Sequence, residues 1–232
     1  MQGFIYNIIR DTRYGVLHNK KTYKYFCFSN IFPIGDFHQG DKRNLLISSP
    51  DRVFLKIIEE KLLSFSESKT PIKIGEMIFY VEDVTPLEIK IKDNLNLITA
   101  TPIIVRIPES KYEEYKIPIR FRKKRYAYWR PEHQVYPFIK QLEDNLVKKY
   151  KQFYKKDINI DGLLEDLKFI KSVSNKVVID GIERIFIGSI WKFSFGFLNS
   201  KKKKLLKFGL DCGFGERNSL GFGFVNQVFN DE

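Results

Sequence analysis

Cysteine is scarce in this chain. Cys27 and Cys212 are the only two, far apart and each in apolar surroundings. Neither belongs to a Cys/His pattern with the spacing of a zinc site, so both read as buried free thiols in a reducing compartment. Histidine is almost as rare, represented by His18, His38 and His133. No apolar run approaches the ~20 residues needed to span a bilayer. Arg10, Asp11 and Arg13 follow the N-terminus too closely for a signal peptide. The sequence therefore predicts a soluble, cytoplasmic protein without a membrane partner. Carboxylates paired at metal-ligand spacing are also lacking. Two-metal nuclease chemistry has no candidate ligands, and neither a metal nor another cofactor is expected.

Positive charge is plentiful. Lys and Arg number 40 against 28 Asp and Glu, a formal net charge of +12, and 15% of residues are aromatic. That balance points to a polyanionic partner, RNA or DNA before an acidic membrane surface. The basic residues cluster at 20–24, 120–125 and 201–204, each flanked by aromatics. Arg120, Arg122, Lys123, Lys124 and Arg125 run into Tyr126, Tyr128 and Trp129, a mixture that neutralises phosphates and stacks unpaired bases. The plainer reading of each cluster is a solvated face beside ordinary core aromatics.

Hydrophobic periodicity divides the chain into two α+β halves. Residues 2–14 read as a helix with Phe4, Ile5, Ile8 and Ile9 inward and Gly15 as its stop, while Tyr6, Arg10 and Arg13 share another face. Strands at 25–28 and 44–48 follow. A helix capped by Ser49, with Pro50 first, runs to about Phe65, and strands at 72–75 and 77–84 close this half. The order is that of a ferredoxin-like β-α-β-β-α-β unit without its first strand. From Leu95 onward the expected elements are a strand at 97–107 broken by Pro102, an alternating strand at 115–122 and a helix from Pro131 to about Tyr154. In that helix Val135, Phe138, Ile139, Leu142 and Leu146 point inward, and Lys140, Lys148, Lys149 and Lys151 outward. Paired strands at 164–179 and 182–197 turn at Asp180-Gly181. A basic helix at 199–209 and a last strand at 223–228 complete the chain. The expected architecture is tandem ferredoxin-like (RRM-like) domains, residues 1–94 and 95–232, the first lacking its initial strand.

Before the last strand stands Gly213-Phe214-Gly215-Glu216-Arg217-Asn218-Ser219-Leu220-Gly221-Phe222-Gly223. Glycines in such a run admit φ > 0 and close backbone approach, and exposed N–H groups there suit phosphate oxygens. A tight turn with a bulge is the plainer reading. No Gly-Lys-Ser/Thr follows, which excludes a Walker loop. The run leads into a terminal strand rather than opening an early helix, unlike a dinucleotide fingerprint.

A nuclease without metal ligands is best suited to RNA, whose 2′-hydroxyl is a nucleophile already held beside phosphorus. Cleavage then needs a base, an acid and a cation for the phosphorane charge. Three histidines compete for the proton transfers. His18 lies in a basic segment near Lys24, His38 lies in a loop between Asp36 and Asp41, and His133 falls in a first helical turn, where a structural or exposed role is expected. The residues alone leave His18, His38 and no catalytic histidine all open.

Three stretches together resemble one family. The glycine-rich run with its continuation Phe224-Val225 is the most specific. Gly3-Phe4-Ile5-Tyr6-Asn7-Ile8-Ile9 is similar to the first helix of that family, and Leu17-His18 with Lys24, Phe26, Phe28 and Ser29 is similar to its histidine- and lysine-bearing segment. The family is that of the CRISPR-associated repeat endoribonucleases of the RAMP superfamily. The resemblance implies cutting of precursor CRISPR RNA within repeats, without metal, leaving a 5′-hydroxyl and a 2′,3′-cyclic phosphate. It implies Tyr6, His18 and Lys24 as the catalytic set, with Tyr6 and His18 sharing acid/base work and Lys24 stabilising charge. Gly213, Gly215, Arg217, Asn218, Ser219, Gly221 and Gly223 join the cluster at 120–125 as the expected RNA-binding set. The implied partners are CRISPR repeat RNA and other Cas effector subunits, the protein being a monomer or homodimer. The family's first strand would precede Gly3, so the natural chain is expected to begin roughly 20 residues earlier, or the N-terminal sheet to be incomplete. The competing reading is an RNA-binding subunit or inactive paralogue that does not cut.

Overall fold

The computed structural model describes residues 1–19, 22–160, 162–179 and 181–228. The N-terminal half contains α1 (Gln2–Ile9), a 3-10 turn (Gly15–His18), β1 (Cys27–Phe28), β2 (Ile47–Ser48), α2 (Arg52–Glu67), β3 (Ile72–Ile74) and β4 (Met77–Phe79). β1 pairs antiparallel with β2, and β3 with β4, as two separate ladders. Phe4, Ile5, Ile8 and Ile9 form the buried stripe of α1, against Phe26, Phe28, Phe54 and Ile58.

The C-terminal half contains β5 (Leu95–Thr99), β6 (Arg106–Pro108), β7 (Tyr126–Tyr128), α3 (Val135–Tyr154), β8 (Asp166–Ile179), β9 (Ile182–Phe195), α4 (Ser200–Cys212) and β10 (Val225–Val228). Its sheet is antiparallel in the order β10-β5-β9-β8, with β6–β7 as a separate ladder. α3 and α4 supply Phe138, Leu142, Leu146, Leu205, Leu206 and Phe208 to a core completed by Leu97, Trp191, Phe193 and Phe195 of the sheet. Phe138 stacks on Trp191 with ring centroids 4.3 Å apart.

Several local expectations are corrected. α1 stops at Ile9 because Thr12 Oγ1 donates to the Ile9 carbonyl at 2.7 Å, a local bond that competes with helix continuation. Asp51, not Ser49, caps α2: its carboxylate accepts from the N–H groups of Val53 and Phe54. Ser49 Oγ instead donates to the Tyr25 carbonyl. Tyr25 has φ of 53°, so β1 begins only at Cys27. Residues 115–122 are not a strand but a turn and a short 3-10 segment (Ile119–Phe121). Pro118 has no ladder donor, and Lys116 has φ of 49°. Val135 lies exposed rather than inward. Of the expected turn at 180–181, Asp180 lies outside the described residues.

The largest correction concerns Lys149. It is only 2% exposed. It lies on the stripe of Leu142 and Leu146 at i, i+4 and i+7, and points into the base of the glycine-rich loop. Its Nζ donates to the carbonyls of Gly213 (2.8 Å) and Gly215 (2.7 Å) and to Asn218 Oδ1 (2.7 Å). Burial lowers its pKa from the ordinary lysine value, while three oxygen acceptors match the three donors of an ammonium. Asn218 Nδ2 completes the clamp by donating to the carbonyls of Phe214 (3.0 Å) and Phe222 (2.9 Å). Gly223 is equally constrained: at φ of 73°, a Cβ there would lie 1.9 Å from the Phe214 carbonyl oxygen.

Lys149→Met retains much of the apolar stem but leaves three buried acceptors without their donor. It is expected to lower unfolding free energy by about 3 kcal/mol, read by denaturant titration; an unchanged midpoint would show the clamp to be dispensable. His133 gives a second expectation. It is buried, its Nδ1 accepts from the Arg130 N–H at 3.3 Å, and burial lowers its pKa. The folded state then binds fewer protons than the unfolded state, so stability should fall as pH drops through the ordinary histidine range and level off below the folded pKa. Denaturant titrations at pH 7.5 and 5 should show that fall, and a smaller one for His133→Leu.

Candidate functional site

The two halves meet where the C-terminal end of α4 docks on β1 and β2. Helix ends leave carbonyls without intrahelical donors. Here Ser48 Oγ donates to the Leu210 carbonyl at 3.2 Å, and Cys27 Sγ lies 3.8 Å from the Asp211 carbonyl oxygen. Burial raises the Cys27 thiol to about 12 and Cys212 to about 11, so neither is a thiolate near neutrality. Gly221, at φ of 92°, lies against the Phe28 ring, where a Cβ would come within 2.6 Å of Cε2. The glycine-rich loop therefore touches the strand that follows the Lys24 segment.

Tyr6 and Lys24 are brought together. Tyr6 stands on α1, and Lys24 precedes β1 by three residues. Lys24 Nζ donates to Tyr6 Oη at 2.6 Å, and the ammonium lies 5.0 Å from the Tyr6 ring centroid. An ammonium has no acceptor, so this bond fixes Tyr6 Oη as acceptor and directs the phenol's own proton away from Lys24. The Tyr6 ring meets Phe26 edge-on at 6.1 Å, and Phe26 stacks on Phe54 at 5.2 Å. Both aromatics are core residues, so the pair rests on a rigid base. His18 closes the 3-10 turn Gly15–His18; its imidazole, with Lys20 and Lys21 of the first basic cluster, lies outside the described part of the structure. His38 stays in an exposed loop, where its backbone N–H donates to Asp41 Oδ2.

The glycine-rich loop is not the open cradle of N–H groups that its composition suggests. The N–H of Phe214 donates to Gly223, that of Glu216 to Ile104, and that of Gly223 to Pro102. Gly213, Gly215, Gly223 and Asn218 are buried. Arg217 is the exposed residue at the loop's apex, with φ of 61° and its guanidinium 5.8 Å from the Phe186 ring centroid; Ser219 is half-buried. Beside it Glu216 forms an ion pair with Arg106, whose guanidinium also lies 4.5 Å from the Tyr126 ring centroid. β7 thus joins the loop to the basic stretch. Within that stretch Arg120, Lys123, Lys124 and Arg125 are exposed, whereas Arg122 pairs with Glu113 and donates to the Ile117 carbonyl. In the third cluster Lys202 and Lys203 pair with Glu165 and Asp93. Sequence reasoning missed Lys149 and the Arg106–Glu216 pair; the helical spacing of Lys149 from Leu142 and Leu146 is the one signal that pointed to the former.

Among the described residues no three His, Cys, Asp or Glu side chains gather into a possible metal set, and no helix is long and apolar enough to cross a membrane.

Comparison with known proteins places this geometry. Residues 82–227 match the family model described as CRISPR associated protein Cas6, C-terminal. CRISPR-associated endoribonuclease Cas6 2 of Methanocaldococcus jannaschii is 32% identical over 236 residues, covering 98% of this chain and 90% of that protein. CRISPR-associated endoribonuclease Cas6 of Haloferax mediterranei is 30% identical over 237 residues, covering 98% of this chain and 86% of that protein. A solved structure titled CRISPR associated protein Cas6 superposes with a TM-score of 0.67 at 25% identity, covering 98% of this chain and 90% of its own. The chain belongs to the Cas6 family of CRISPR-associated proteins.

Proposed function

We propose that this protein is a metal-independent endoribonuclease that cuts precursor CRISPR RNA within its repeats. The observation that carries the reading is the hydrogen bond from Lys24 to Tyr6 in a chain whose curated relatives are endoribonucleases. In the proposed reaction the 2′-oxygen bonds to the adjacent phosphorus and the bond from phosphorus to the 5′-oxygen breaks. One of Tyr6 and His18 takes the 2′-hydroxyl proton, and the other gives a proton to the leaving 5′-oxygen. Lys24 balances the negative charge on the phosphorane. The products carry a 2′,3′-cyclic phosphate and a 5′-hydroxyl.

The RNA reading extends from this site along the exposed cations, Arg217 at the loop apex and Arg120, Lys123, Lys124 and Arg125 beyond β7, with Tyr126 and Tyr128 between them. Gly213, Gly215, Gly221, Gly223 and Asn218 support binding by shaping the loop. The two halves, residues 1–94 and 95–232, are read as tandem ferredoxin-like domains. Support comes from the elements of the main sheet and its helices, β5, α3, β8, β9, α4 and β10, which run β-α-β-β-α-β with the separate β6–β7 ladder inserted after β5, and from the sheet order of the four strands.

The test is cleavage of the cognate repeat RNA in EDTA, beside the same strand with a 2′-deoxy sugar at the cut. The all-ribose strand alone should be cut. His18→Ala and Lys24→Ala should each slow single-turnover cleavage by about 10²–10⁴-fold with little change in RNA affinity. Tight binding without cutting would overturn the enzyme reading, and cutting of the deoxy strand would overturn the internal nucleophile.

A further inference from the structure

The turn that ends in His18 spans four residues, too few to hold a 3-10 helix by its own hydrogen bonds. Something outside must fix its direction, and the described structure supplies an anchor at the residue that opens it. Tyr14 Oη lies 2.6 Å from Asp51 Oδ2 and 2.8 Å from an Arg13 guanidinium nitrogen. An arginine can only donate, so the Tyr14 oxygen accepts from Arg13 and its own proton goes to Asp51. The other carboxylate oxygen, Asp51 Oδ1, accepts from the N–H groups of Val53 (3.0 Å) and Phe54 (3.2 Å) at the start of α2. Both oxygens of one side chain are thus engaged, one capping the helix and one holding the turn.

The ring of Tyr14 meets Phe54 edge-on at 5.3 Å. Phe54 stacks on Phe26, which in turn meets Tyr6. The start of the turn and the Tyr6 side chain are therefore referenced to one row of core aromatics. On the backbone, the Tyr14 carbonyl accepts from the Leu17 N–H at 2.9 Å, and the Gly15 N–H donates to Thr12 at 3.0 Å. A Cβ on Gly15 would lie 2.2 Å from the Arg10 carbonyl oxygen, so the chain enters the turn along a path that only glycine fits.

We infer that Tyr14, through its hydrogen bond to Asp51, is a positioning residue that aims the His18 turn at the Tyr6–Lys24 pair. The inference rests on the proposed role of His18. Proton transfer demands placement within hydrogen-bond reach, and a displacement of about 1 Å can cost two orders of magnitude in rate.

The experiment is a double-mutant cycle in single-turnover cleavage of repeat RNA at saturating enzyme, using the whole chain. Tyr14→Phe removes the hydroxyl and keeps the ring against Phe54. It should slow cleavage by about tenfold or more while RNA Kd stays within about twofold. Asp51→Ser, which keeps an N-cap oxygen and is too short to hold Tyr14 as well, should slow it to the same extent. In a His18→Ala background Tyr14→Phe should have no further effect, because nothing remains to be aimed. A purely structural role would give the same loss in both backgrounds, and that result overturns the inference. Full-speed cleavage by Tyr14→Phe while His18→Ala is slow would overturn the positioning role alone. Full-speed cleavage by His18→Ala would overturn the catalytic reading and this inference with it.

Discussion

A buried ammonium is the constraint on which the rest of the structure depends. Burying a lysine is unfavourable unless each of its donors finds an acceptor. Lys149 finds them in the Gly213 and Gly215 carbonyls and Asn218 Oδ1. The same requirement shapes the loop. Carbonyls can converge on one nitrogen only if the backbone turns tightly, and Gly213 and Gly215 do so at φ of 84° and 68°. Asn218 then bonds back to Phe214 and Phe222, fixing the loop's two arms relative to each other. The glycine pattern is thus the geometric counterpart of a charge on α3, about 65 residues earlier in sequence.

The clamp matters for chemistry because of what the loop touches. Through Gly221 and Phe28 it abuts β1, and β1 continues the segment that delivers Lys24 to Tyr6. Through Glu216 it holds Arg106, which in turn lies over Tyr126 at the end of the basic stretch. One rigid element therefore stands between the proposed reacting groups and the proposed RNA-binding cations. Preorganisation of this kind is what metal-free phosphoryl transfer requires, since positioning and fixed charge supply most of the rate.

Much of this was legible in the sequence, for identifiable reasons. The apolar stripe of α1, the long hairpin β8–β9 and the C-terminal end of α3 follow from periodicity, which tertiary packing reinforces, whereas α3 begins at Val135 rather than at Pro131. The Tyr6–Lys24 association was reachable only through motif order, because the two lie 18 positions apart, a separation no helix or strand period links. Lys149 is hard to read from sequence because its charge argues for solvent while its helical spacing from Leu142 and Leu146 argues for the core. Residues 115–122 present the opposite conflict, an alternating pattern interrupted by Pro118 and the positive φ of Lys116. Asp51 shows a subtler failure. Serine and aspartate are about equally good caps, and the choice fell to Asp51 because Ser49 was drawn off by the Tyr25 carbonyl, a contact across 24 residues that no local pattern contains.

Native-state hydrogen exchange on the RNA-free protein tests the clamped loop most directly. The amides of Phe214, Glu216 and Gly223, bonded to Gly223, Ile104 and Pro102, are expected to exchange as slowly as those of β5 and β9, opening only with the core. Exchange of these three amides at the fast rate of an exposed surface loop would contradict the account. It would make the glycine-rich run a flexible RNA clasp rather than the frame on which the site is built.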